Sequence, residues 1–265
     1  MNNILVIIRG GGDLATGVAV RLFRAGFSVL VLEIDHPTVI RLPVSFARAV
    51  YEGKAVVEEV EAVLIPSWEK ARDTFKQWKI PVLIDPEGYC IEKLSPDVLV
   101  DAIMAKRNLG TKINQAPLVI GLGPGFTAGE DVDVVIETKR GHNLGRVIYN
   151  GQAEPDTGVP GEVGRESKKR LLRAPAQGRI FPLCKIGDLV KAGEVIAEVE
   201  GVSLKTEISG VLRGLIYPES WVTKGMKVGD IDPRGIREYC FTVSDKARSI
   251  GGAVLEAICA YLNKK

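Results

Sequence analysis

The stretch VIIRGGGDLATGVAVRLFRAG, residues 6–26, decides how the N-terminal half is read. An apolar run over residues 4–8 suits a central parallel strand. Three glycines follow. From Asp13 onward Leu14, Val18, Leu22 and Ala25 recur at the spacing of one helix face. Gly26 stands where a left-handed residue ends a helix, and residues 27–34 form a second apolar run. The order strand, glycine loop, helix, strand describes a βαβ unit with a right-handed crossover.

Glycines let a ligand approach the main chain, and the unpaired amides of a helix N-terminus favour an anion. Gly10, Gly12 and Ala15 fit the spacing G-x-G-x-x-G/A, with Gly11 and Asp13 inside it and Gly17 as one further small residue. Glu33 ends the second strand, where a carboxylate accepts ribose hydroxyls. With Asp35 beside it, Glu33 would repel a ribose phosphate. NAD or another adenine dinucleotide therefore suits the loop better than NADP. The opposing expectation is that Asp13 itself satisfies the free amides and competes with a phosphate.

The chain has 265 residues, 46% hydrophobic and 26% charged, with a net charge of +2. That is an ordinary globular composition with no basic stripe for nucleic acid. The cluster Lys168, Lys169, Arg170 and Arg173 reads as a solvated turn. No apolar run approaches the roughly 20 residues of a membrane span, and the first residues do not read as a signal peptide, so a cytoplasmic protein is expected. Cys90, Cys184, Cys240 and Cys259 form no CxxC pair, and the only histidines are His36 and His142. No metal site and no disulfide framework are expected, and the cysteines read as small buried apolar residues. Cys240 alone sits in a polar-rich neighbourhood.

Residues 43–51, 67–78 and 95–106 read as helices. Residues 54–57, 62–65, 81–85 and 118–121 read as strands, giving an open, mostly parallel α/β sheet. Beyond residue 125, short strands between glycine turns (132–138, 146–149, 195–199 and 205–208) have the texture of a β module. Residues 244–262 form a last helix, apolar at Ala247, Ile250, Val254, Ile258 and Leu262, expected to pack back. The expected division is a Rossmann-like nucleotide-binding domain over 1–130, a mostly β module over 131–243 and a C-terminal helix over 244–265.

The β region repeats at an offset of 32: Gly178 aligns with Gly210, Ile180 with Leu212, Val190 with Val222, Gly193 with Gly225 and Ile196 with Val228. Two such halves can interlock around one core. They resemble the barrel-sandwich fold of biotinyl and lipoyl carrier domains. The attachment position falls near Ser203, and the nearest lysine, Lys205, lacks the surroundings of an attachment lysine, so no covalent biotin or lipoate is expected.

A second loop, GLGPGFTAGEDVD over residues 121–133, could form an anion nest from Gly121, Gly123 and Gly125. Nearby, Arg140 and His142 offer a fixed cation and a titratable group. Asp85 ends a further strand, as a third group on the same edge or as a cap beside Pro86. No catalytic triad or dyad spacing is present, and no catalytic residue is assigned.

The pieces IRGGGDLATGVAVRLFRAGF, PVSFARAVYEG, VDAIMAKRNLGT, GLGPGFTAGEDVDVVIETKRGHNLGRVI, TGVPG, GVLRGLI, KVGDIDPRG and SDKARSIGGAVLEAI, in this order, resemble the selenium-dependent molybdenum hydroxylase accessory proteins of the YqeB family. The resemblance implies a role in maturing molybdenum enzymes that hydroxylate purines or related heterocycles, with the molybdenum cofactor as a client-derived ligand and the hydroxylase as partner. Whether the chain also pairs with a second copy, or makes and breaks bonds at all, stays open. Two other functions remain at this point: an NAD-dependent oxidoreductase using His142 as proton donor, and an unmodified carrier-like binding module.

Overall fold

Residues 4–156, 158, 161–163 and 166–264 are described by a computed structural model. Strand β1 (Leu5–Arg9) is buried from Val6 onward, as its unbroken apolar run requires of a strand covered on both faces. Gly10–Gly12 turn the chain into α1 (Asp13–Arg24), and Gly26, at φ 90°, leads into β2 (Ser28–Glu33). The chain continues through α2 (Ala49–Glu52), β3 (Lys54–Val57), β4 (Val60–Ile65), α3 (Ala71–Lys76), β5 (Ile80–Ile84), α4 (Tyr89–Leu94), β6 (Val98–Asp101), β7 (Leu118–Leu122), β8 (Thr127–Ala128), β9 (Val134–Ile136), β10 (Val147–Ile148) and β11 (Gly151–Gln152).

Nine of these strands form one sheet in the order β10-β9-β7-β6-β1-β2-β5-β4-β3. From β9 to β4 neighbouring strands run parallel, while β10 and β3 close the two edges antiparallel. The β3–β4 reversal is a two-residue turn in which Glu58 and Glu59 both hold positive φ, 47° and 74°, the conformation that suits hairpin twist.

The last helix, α5 (Asp245–Leu262), lies against α1. Ser244 caps it by accepting the Ala247 amide at 3.2 Å. Ala247, Ile250, Val254 and Ile258 are buried, as their spacing predicts. The helices approach through bare backbone: a Cβ on Gly17 would lie 2.7 Å from Ala247 Cβ, and one on Gly251 would lie 2.9 Å from the Gly17 carbonyl oxygen.

The chain divides into two compact units, Met1–Pro37 with Ser45–Thr157 and Val243–Lys265, and Thr38–Val44 with Gly158–Thr242. The second contains β12 (Leu171–Arg173), β13 (Gly178–Pro182), β14 (Leu189–Val190), β15 (Val195–Val199), β16 (Val202–Lys205), β17 (Gly210–Leu215), β18 (Trp221–Val222) and β19 (Lys227–Asp232). They form two four-stranded sheets, β12-β19-β17-β14 and β16-β15-β13-β18. The sequence repeat is visible in the pairing: short β14 pairs with β17 of the other repeat, and short β18 with β13. Ile180, Val190, Ile196, Leu212, Val222 and Val228 meet in the core between them. Residues 38–44 join this unit because Gly214 leaves room for the Ile40 carbonyl, 2.7 Å from where a Cβ would sit.

These observations correct the expected architecture. The first unit is a nine-stranded mixed sheet with β5 inserted between β2 and β4, not a Rossmann-like parallel sheet. The second is a pair of antiparallel sheets rather than a biotinyl- or lipoyl-like barrel-sandwich module. Strands β9 and β10, expected in the β module, extend the large sheet, because the antiparallel pairing of Val147 with Ile136 adds an edge to it. Residues 95–106, read as a helix, contain β6 instead. Its run Val98-Leu99-Val100 is buried throughout, and a strand covered on both faces has no period to separate it from a helix. Residues 43–51 form two short 3-10 turns and the single helical turn α2 rather than one helix. Arg170, read as solvated, is buried and ion-paired with Asp230. Cys259, read as buried, is exposed.

Candidate functional site

Strand β1 connects onward to neighbouring β2, whereas β6, on the other side of β1, connects to β7 further out. The connections therefore diverge at β1/β6, and a crevice is expected beyond the carboxyl ends of those strands. The glycine loop lies at that edge. Gly10, at φ 96°, packs against the chain leaving β6: a Cβ on it would lie 2.9 Å from the Ala102 carbonyl oxygen. Gly11 is strapped by residues 45–47. Its carbonyl accepts the Ala47 amide at 2.8 Å and the Thr16 hydroxyl at 3.1 Å, and the Thr16 Oγ1 accepts the Phe46 amide at 2.8 Å. Two of the three glycines thus serve contacts within the chain. Ala15 and Gly17 are buried in α1, with Gly17 packed against α5.

Gly12 differs. It is the N-cap of α1, at φ −65° and ψ −179°, and has no side chain to offer the first-turn amides. Asp13 stands in that first turn, where its charge complements the helix dipole.

Glu33, expected to face a ribose, turns into the loop. Its Oε2 accepts the Gly11 amide at 2.7 Å and its Oε1 accepts the Ile34 amide at 2.8 Å. Burial pushes its carboxyl above the usual range, and these two amide bonds only partly offset that. The anion on the glycine loop is therefore the chain's own glutamate.

The second loop is packed rather than open. A Cβ on Gly121 would meet the Phe126 ring at 2.6 Å, one on Gly123 the Thr138 hydroxyl at 2.5 Å, and one on Gly125 the Arg107 amide at 2.6 Å. The Gly123 amide is bound to the Ile136 carbonyl. The two glycine loops touch the same segment from two sides: Gly10 meets Ala102 and Ile103, while Gly123 and Gly125 meet Met104, Lys106 and Arg107. Met104 and Lys106 both hold φ 62°, a strained conformation for residues with side chains. Arg140 makes a bidentate ion pair with Asp245 at 2.6 and 2.9 Å. His142 lies exposed in the β9–β10 connection.

Sequence reasoning missed a buried polar knot at the same edge. Arg9 is 5% exposed and Asp101 2%. Arg9 Nη1 donates to the Thr111 hydroxyl at 2.7 Å, Nη2 donates to the Pro86 carbonyl at 3.2 Å, and the Thr111 hydroxyl donates to Asp101 Oδ2 at 2.6 Å. A charged residue closing an otherwise apolar strand was the available signal, at both Arg9 and Asp101. Asp85 acts as a cap: its carboxylate accepts the amides of Gly88, Tyr89 and Cys90 at 2.8–3.0 Å. Burial, reinforced by Asp85, pushes the Cys90 thiol up. Cys240 is buried too, and burial raises its thiol against the pull of Arg41 and Arg213. Lys205 ends β16, opposite Val195. Among the described residues there is no cluster of three metal-ligating side chains, and no helix is long and apolar enough to cross a membrane. Thr157, Val159 and Pro160 of the TGVPG piece lie outside the described residues.

No protein-family model matches the chain. Among solved structures it is similar to an aspartoacylase family protein from Mesorhizobium loti, at 11% identity over 86% of this chain and 84% of that one, with a TM-score of 0.28. It is also similar to the ectoine utilization protein EutE (DoeB) from Ruegeria pomeroyi, at 12% identity over 85% of each chain, with a TM-score of 0.27. Likenesses this distant carry no argument here. The chain is 50% identical over 260 residues to Uncharacterized protein YqeB of Escherichia coli (strain K12), covering 98% of this chain and 48% of that protein. The chain thus spans about half the length of the curated relative it matches. Over nearly all of its own length the chain is similar to YqeB, which supports the YqeB family.

Proposed function

We propose that this chain is an accessory factor in the maturation of selenium-dependent molybdenum hydroxylases, acting in the cytoplasm, and that it holds a nucleotide-containing ligand by a phosphate at the start of α1. The maturation role rests on the resemblance that the ordered motifs carry; the likeness to YqeB supports the family alone. The nucleotide role rests on one observation: Gly12, the N-cap of a 12-residue helix, has no side chain to cap it, and the helix starts at the sheet edge where the connections of β1 and β6 diverge.

The geometry also narrows the ligand. A dinucleotide pyrophosphate would need close approach at Gly10 and Gly11, where Ala102 and Ala47 already sit, and Glu33 occupies the Gly11 amide. The amides of Gly12, Asp13 and Leu14 fit a single phosphate group better, such as the terminal phosphate of a nucleotide or of a nucleotide-bearing molybdenum cofactor carried as cargo.

Gly12 has backbone angles open to any residue, so Gly12→Asp places a carboxylate where it accepts a first-turn amide and repels a phosphate. With ATP, NAD and molybdopterin dinucleotide offered in turn, native mass spectrometry should show one of them bound to the unaltered chain. Gly12→Asp should weaken that binding at least about tenfold, with no fall in the thermal midpoint. Binding of none of the three, or equal binding by both proteins, overturns the nucleotide role. Normal selenium-dependent purine breakdown in a deletion strain overturns the maturation role.

A further inference from the structure

The glycine loop follows the end of β1. At the start of β1 and β2, on the opposite edge of the sheet, lies a cavity of about 930 Å³ that the proposed nucleotide site does not use. Its walls include Phe23 near the end of α1, Phe75 on α3, and the indoles of Trp68 and Trp78. Trp68 and Phe75 pack on the first unit's core, so the cavity's apolar wall is continuous with it. The volume is that of a small-molecule site.

Trp78 is held there against its own backbone preference. It follows α3 at φ 54°, its amide bound to the Phe75 carbonyl at 3.0 Å. This is the left-handed position after a helix that ordinarily takes glycine. Burial does not explain the choice, since Trp78 is 69% exposed. Its ring stands edge-on to Phe23, with centroids 6.1 Å apart. A large aromatic at a strained, exposed position beside an aromatic cavity is placed to meet a ligand.

The lining also carries Arg72, Lys76 and Lys79 against one carboxylate, Glu69. Lys76 is engaged by Asp73 at 3.3 Å and Lys79 by Glu61 at 3.0 Å. Arg72 has no partner among the described residues, which leaves one uncommitted cation at the cavity.

We propose that this cavity binds a planar aromatic carboxylate, its ring system among Phe23, Phe75 and Trp78 and its carboxylate on Arg72. The ring supplies apolar area to the walls, and the planar guanidinium suits a carboxylate's two oxygens.

The probes are 2-naphthoate and the neutral 2-naphthalenemethanol, titrated calorimetrically into the full chain. The unaltered protein should bind naphthoate about tenfold more tightly than the alcohol, and Arg72→Gln should erase that preference while leaving the alcohol within about twofold. Trp78→Gly should weaken both probes about tenfold. Because glycine suits φ 54°, that variant should keep its thermal midpoint, whereas a tryptophan placed only for packing would lower it. Gly12→Asp should bind both probes normally, which separates this cavity from the nucleotide site. Absence of naphthoate binding, equal affinity for both probes, a preference that survives Arg72→Gln, or a Trp78→Gly protein that melts early and binds unchanged overturns the proposal.

Discussion

Replacing Glu33 by glutamine should leave the protein no less stable at neutral pH, although counting hydrogen bonds predicts the reverse. The carboxylate accepts two backbone amides, from Gly11 at 2.7 Å and Ile34 at 2.8 Å. A glutamine has one carbonyl, so one amide would lose its acceptor, and a bond to a charged group is worth about 1.5–3 kcal/mol. The raised carboxyl pKa says that burial outweighs both bonds together. The sign then follows from linkage. Above the unfolded pKa of about 4.3 the native state binds the proton more tightly than the unfolded chain does. Glu33's contribution to stability is therefore fully present below that pH and is lost as pH rises through the raised folded value, at no more than about 1.4 kcal/mol per pH unit. Glutamine, a neutral mimic of the protonated acid, does not titrate. Urea unfolding of both proteins from pH 4 to pH 8 isolates the group, because all other titrations cancel in the difference. The two should match near pH 4, and Glu33→Gln should be the more stable by pH 7. If instead the glutamine variant loses 1.5 kcal/mol or more at pH 7 and the gap closes toward pH 4, the amide bonds dominate and the reasoning is wrong.

Other outcomes follow from single contacts. Gly252→Ala on α5, where a Cβ meets nothing within 4 Å, should stabilise by about 0.5–1 kcal/mol, whereas Gly251→Ala must push on the Gly17 carbonyl at 2.9 Å and should lose about 1 kcal/mol or more; urea melts of the pair decide it. Thr111→Val removes the hydroxyl between Arg9 and Asp101 and should cost about 1.5–3 kcal/mol by calorimetric melting. In the second unit, burial pushes the Asp232 carboxyl up, but the hydrogen bonds and charge of Arg234, with Arg213, outweigh it and hold it below the usual range. Its stabilisation is therefore present above pH ~3.9 and lost as pH falls through the lower folded value, so Asp232→Asn should flatten that part of the acid limb of a stability–pH curve.

The sequence was most legible where period and punctuation agree. Residues 13–24 combine an apolar stripe with Gly26 as a stop, and α5 combines one with Ser244 as a start; both helices appear close to their expected bounds. Where the chain is buried on both faces the period vanishes, and the sequence of β6 does not separate strand from helix. Long-range pairing was hidden for a different reason. No local signal places β5 between β2 and β4, or sends β9 and β10 to the far edge of the first sheet. The repeat in the second unit was legible because similarity at a fixed offset is itself non-local information, and the exchange of β14 and β18 between the halves is its structural counterpart.

The glycine loop shows why spacing alone overstates a site. One run of three glycines answers three demands. Gly10 bends at φ 96° under the Ala102 carbonyl, Gly11 admits the Ala47 amide, and Gly12, whose angles require no glycine, sits at the N-cap with no side chain to offer the first turn. A fingerprint counts all three alike, because each lacks a side chain. What separates them is what lies within 3 Å, and that depends on residues 45–47 and 102–103, which local spacing does not place beside the loop. Glu33 follows the same logic. Its position at the end of β2 was legible, but its direction was not, because direction is set by which amide lacks an acceptor once Ala47 and Ala102 are in place. A ligand at this edge therefore meets a loop whose first anion is built in. On the proposed nucleotide role the affinity would reside in the first turn of α1, so substitution at Gly12, rather than at Gly10 or Gly11, is the change expected to separate binding from folding.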